Sequence, residues 1–145
     1  MKLHEFIAIS LSLMQFPIFA AEIEYQMDFG VIIHNDMGEP VGFEKTKNIL
    51  ISNKGESSLF GLVVTSPETD EFTLSSVHVL PPSNGEDRPR KMMGKPMRIA
   101  GRGAIFMRTD SHDIPGTYAM EVYINNQLHH TIEYHLTTKL ANNQL

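Results

Sequence analysis

The stretch from Gly116 to Thr137 is what most restricts the fold open to this chain. Apolar residues occupy alternate positions, with Tyr118, Met120, Val122 and Ile124 on one parity. Asn125-Asn126 interrupts the alternation with a pair of residues that tolerate positive φ. Leu128, His130, Ile132, Tyr134 and Leu136 then resume it. A period of two cannot place an apolar stripe on a helix, so this segment is a hairpin with one buried face.

The upstream sequence has the same grain. Glu22–Ile33 alternates early, with Ile23, Tyr25 and Met27 on one face, and Gly30 predicts a bulge or a close backbone approach. Asn35–Pro40 is turn chemistry. Lys47–Ser52 and Leu59–Thr65 are short apolar strands separated by a break at Asn53-Lys54-Gly55. Glu71–Leu80 alternates as well. Phe72 and Leu74 share one parity and Val77 and Val79 the other, which predicts a bulge near Ser75-Ser76. No segment has a helical period and no internal repeat is present. Seven or eight strands follow, the expectation for an all-β, antiparallel β-sandwich.

The chain starts with Met1-Lys2, an apolar run of eleven residues from Phe6 to Phe16, Pro17 and the small residues Ala20-Ala21. This is the layout of a cleaved signal peptide spanning residues 1–20. A membrane-spanning helix needs roughly twenty apolar residues. The expected layout is therefore an exported sandwich domain from 21 to 138, a loose tail from 139 to 145, and no transmembrane segment in the mature chain. The expected location is the periplasm or the medium. There are no cysteines, which excludes disulfides, thiolate metal sites and cysteine nucleophiles.

The net charge of −5 hides an asymmetry. Arg88, Arg90, Lys91, Lys95, Arg98, Arg102 and Arg108 fall in a span without a single acid, so it carries +7 while the rest of the mature chain carries −12. Pro81, Pro82, Pro89 and Pro96, with four glycines, predict one long loop from Pro81 to Gly103, with a short extended piece at Met97–Ala100. Long loops in compact domains are commonly functional. Either the loop folds back on acidic strands in solvated pairs, or it forms a positive patch that draws in an anionic partner.

Asp113–Tyr118 ahead of an alternating strand resembles the tyrosine corner of immunoglobulin-like sandwiches, with Pro115, Gly116 and Tyr118 as its structural residues. Together with Phe29–Ile32 and Val79–Pro82, it resembles a family of small exported bacterial proteins of unknown function. That resemblance implies an exported immunoglobulin-like sandwich and no established active site.

Catalysis finds no motif: there is no Gly-x-Ser-x-Gly, no His-Glu-x-x-His and no phosphate-binding glycine loop. The chain is read as a non-enzyme without a cofactor. It is read as a binding domain that meets a protein or an anionic envelope component through Arg88, Arg90, Lys91, Met92, Met93, Lys95 and Arg98, and through an exposed strand edge. Nucleic acid is not expected, because export removes it and no aromatics interleave with the cations. The alternative is a periplasmic copper, zinc or small-ligand carrier. In a regular strand His129, Glu133 and His135 would share a face, extended over about 20 Å, and Met92, Met93 and Met97 would supply soft sulfur. Asp110–Asp113 offers carboxylates, most simply as turn chemistry.

Overall fold

The computed structural model describes residues 23–51 and 57–138. The expected signal peptide and tail, and the break at 53–55, lie outside these residues. Two sheets face each other. Sheet A contains β1 (Gln26–His34), β2 (Pro40–Lys45), β4 (Leu59–Thr65) and β8 (Arg102–Arg108), in the order β2-β1-β4-β8. Sheet B contains β3 (Asn48–Ile51), β5 (Glu71–Leu80), β6 (Arg90–Met93), β9 (Gly116–Ile124) and β10 (Gln127–Thr138), in the order β3-β10-β9-β5-β6. In addition, β7 (Met97–Ala100) pairs with β5. All pairings are antiparallel except β3 with β10.

The late hairpin forms, except that Leu128 falls opposite Tyr123 and is turned out of the buried face, 57% exposed. Asn125 and Asn126 turn it at φ 49° and 64°, and Tyr118, Met120, Val122 and Ile124 are buried. They meet Phe29, Phe60, Leu62 and Val64 of sheet A in the core. The tyrosine corner is present: the Tyr118 hydroxyl donates to the Ile114 carbonyl at 2.8 Å. The Tyr118 ring stacks on Tyr134, with centroids 5.6 Å apart.

Gly30 marks a close approach. It lies opposite Gly61 between β1 and β4, and a Cβ on it would collide with the Glu44 carbonyl oxygen. One on Gly61 would strike the carbonyl of Ile105. Two adjacent bare positions let β2 and β8 close on the middle of sheet A.

Three expectations need correction. The segment Pro81–Gly103 is not one loop: the short extended piece expected at Met97–Ala100 is β7, and Arg90–Met93 forms a further strand, β6. Prolines suppress a strand only where an amide must donate, and here they flank the paired residues, with Pro89 before β6 and Pro96 before β7. Pro40–Lys45 also forms a strand not expected from the sequence, β2, so the described strands number ten rather than seven or eight. Second, β5 has no bulge at Ser75-Ser76, since its register against β9 is unbroken from Leu74 to Val79. Phe72, Leu74, Ser76 and His78 therefore lie on the core parity, and Val77 and Val79 on the outer face. Third, β10 is irregular between Leu128 and His130, which leaves His129 as the extra residue.

Candidate functional site: the basic edge of sheet B

The seven cations are spread over five settings. Arg88 lies ahead of β6, Arg90 and Lys91 on β6, and Lys95 in the break before β7. Arg98 is on β7, and Arg102 and Arg108 are on β8 in the other sheet. Gly101, at φ 70°, turns the chain from one sheet to the other between β7 and β8.

Acidic strands take part of the charge. Lys91 Nζ lies 2.9 Å from Glu121 Oε1 of β9. This contact holds the Glu121 carboxyl below the usual carboxylate range and raises the Lys91 ammonium. The Tyr123 hydroxyl also donates to Glu121, at 3.1 Å. Arg98 pairs with Glu71, and Arg108 donates to Ser57 Oγ at 2.9 Å. Among the described residues, Arg88, Arg90 and Lys95 take part in no ion pair. All three are exposed, with Glu86 and Asp87 just upstream.

All four residues of β6 are exposed, Met92 at 58% and Met93 at 86%. On one side β6 pairs with β5, joining Arg90 to Leu80, Lys91 to Val79, Met92 to His78 and Met93 to Val77. Among the described residues, its other side ends the sheet. The Gly94 amide donates to the Ser76 carbonyl at 2.8 Å. Since hydrogen-bonded and non-hydrogen-bonded pairs alternate along an antiparallel ladder, Met92 and Arg90 turn their backbone groups toward β5. Lys91 and Met93 turn theirs outward. The edge thus offers two outward-facing N–H/C=O sets beside uncompensated cations.

The proposed histidine set does not come together. The bulge removes His129 from the face of Glu133 and His135, and its ring meets Tyr25 edge-on with centroids 5.3 Å apart. His135 Nδ1 lies 3.1 Å from Thr117 Oγ1. No group of three or more His, Asp or Glu side chains able to hold a metal is present among the described residues. His130 lines a cavity of about 380 Å³ with Met27, Phe29, Lys45, Lys47 and Ile132. Asp110–Asp113 is a turn: the His112 amide donates to Asp110 Oδ1 at 2.8 Å and the Asp110 amide to Asp113 Oδ2 at 2.6 Å. Ser76 and His78 were not singled out by the sequence reading. Straight continuation of the Phe72–Leu74 parity would have put them on the inner face.

An immunoglobulin-like protein from Pseudomonas aeruginosa has a similar structure, with a TM-score of 0.51 at 14% identity, covering 79% of this chain and 94% of that one. The fold is immunoglobulin-like. A beta-glucosidase from Listeria innocua is similar over 81% of this chain, at TM-score 0.44 and 12% identity. A Pseudomonas fluorescens alkylpurine DNA glycosylase is similar over 79%, at 0.43 and 14%. The chain spans only 16% and 30% of those two enzymes, and neither likeness bears on activity. No family model matches the chain, and no curated protein does. Among the described residues no helix is long and apolar enough to cross a membrane.

Proposed function

We propose that the chain is an exported, non-enzymatic binding domain, periplasmic or secreted, that takes an extended acidic segment of a partner protein onto the open edge of β6. The observation carrying this reading is the edge itself: four exposed residues paired on one side only, beside Arg88, Arg90 and Lys95. Backbone groups of an added strand would bond those of Lys91 and Met93, and the cations would select for acids. The resemblance to small exported bacterial proteins agrees with this setting. Two of the other sheet ends fit it less well: β2 begins with Pro40 and carries both Glu44 and Lys45, and β3 carries no cation.

The test compares wild type with an Arg88→Glu, Arg90→Glu, Lys95→Glu variant as baits in an envelope extract, at low and moderate salt. The variant spares the Lys91–Glu121 pair. A partner held by wild type, weakened by salt and lost on charge reversal is the expected result. The same partners held by both proteins would refute the reading.

A further inference from the structure

On the inner face of sheet B, the unbroken register of β5 places His78 directly opposite Met120 of β9 and directly opposite Met92 of β6. The row Met120–His78–Met92 therefore runs straight across three strands, with a thioether on each side of an imidazole. Cross-strand neighbours have Cβ atoms about 4.5–5.5 Å apart. The Asn125 amide donates to the Thr73 carbonyl at 2.9 Å, and by alternation from that bond His78 and Met120 are a non-hydrogen-bonded pair. In such pairs the side chains come closest. Methionine has three rotatable bonds, so both sulfurs can turn onto the ring.

The imidazole is already oriented. Its Nε2 lies 3.0 Å from Ser76 Oγ, and Nδ1 is buried without a hydrogen-bond partner among the described residues. With Nε2–H donating to Ser76, Nδ1 keeps its lone pair. Metal-ligating histidines show this arrangement, with the second ring nitrogen held by a hydrogen bond. Gly94 leaves room for the pair, since a Cβ there would lie 2.6 Å from Ser76 Oγ and 3.7 Å from His78 Nε2. Burial falls along the row from Met120, fully enclosed, through half-buried His78 to Met92, 58% exposed, so one end is open to an incoming ion.

Thioether sulfur with imidazole nitrogen selects Cu(I) among the biological first-row ions. We propose that Met92, His78 Nδ1 and Met120 form a three-coordinate site for a cuprous ion. The site is independent of strand docking, although Met92 belongs to the same strand.

The exported chain is titrated with Cu(I) under reducing conditions against a chromogenic Cu(I) chelator, while the methionine methyl resonances are followed by NMR. One ion per chain is expected to resist the chelator, and the Met92 and Met120 methyl signals are expected to shift together. Met92→Leu, at an exposed position that does not threaten the fold, should weaken binding about tenfold or more. Met93→Leu, one residue along and on the outer face, should bind as wild type does. The proposal is overturned if the chelator strips wild type completely, if Met93→Leu loses as much affinity as Met92→Leu, or if the Met120 methyl does not move.

Discussion

At the scale of single residues, hydrogen bonds and close approaches set the stability of this sandwich. The Tyr118 hydroxyl ties β9 to the turn before it. Tyr118→Phe keeps the ring stacked on Tyr134 and loses only that bond, so a cost of about 1 kcal/mol is expected in urea unfolding. Gly61→Val should be far worse, at roughly 3 kcal/mol or more, because its side chain would run into the β8 backbone at Ile105. Failure to recover folded protein would be an equally expected outcome there. Such positions differ in how readable they are. Pro115-Gly116-Thr117-Tyr118 announces its corner through local chemistry. His78 does not announce its surroundings, because Met92 and Met120 reach it only through strand pairing.

At the scale of elements, alternation located the strands whose faces differ and missed β2 and β6, whose residues are exposed on nearly every position. β9 reads directly from its sequence because one side is core and the other is not. β6 has no buried residue, so nothing in Arg90–Met93 alternates, and only pairing with β5 makes it a strand. The supposed bulge in β5 arose because Val77 and Val79 are apolar on the outer face, while Ser76 and His78 are polar on the inner one. Outer-face valines beside Met93 broke the usual rule that apolar means inside.

The edge reading makes a prediction at this scale. The Met93 amide points outward, so Met93→Pro should cost under about 1 kcal/mol in thermal or urea unfolding and yet abolish strand docking. Met92→Pro removes an amide facing His78 on β5 and should cost about 1–3 kcal/mol. Equal losses of stability would mean that the ladder alternation is misassigned.

At the scale of the whole molecule, the charge asymmetry proves partly internal. Glu121 and Glu71 neutralise Lys91 and Arg98, and Arg102 and Arg108 go to the opposite sheet. What remains for a partner is the smaller set Arg88, Arg90 and Lys95, at one end of one sheet. Because those three make no ion pair among the described residues, reversing their charge should leave the unfolding free energy within about 0.5 kcal/mol of wild type, while binding is lost. The class of fold was legible because every strong local pattern is a strand pattern and the domain needs no cysteine staples. The partner edge was legible only as a run of charge, since its geometry depends on which strand ends the sheet.

The most direct measurement is site-specific photocrosslinking in intact cells, with the reactive residue placed at Met93 on the open edge of β6 or at Val41 on the β2 edge of the other sheet. A salt-sensitive protein adduct from Met93 with none from Val41 is the predicted result. Adducts from Val41 alone would contradict the assignment of β6 as the binding edge.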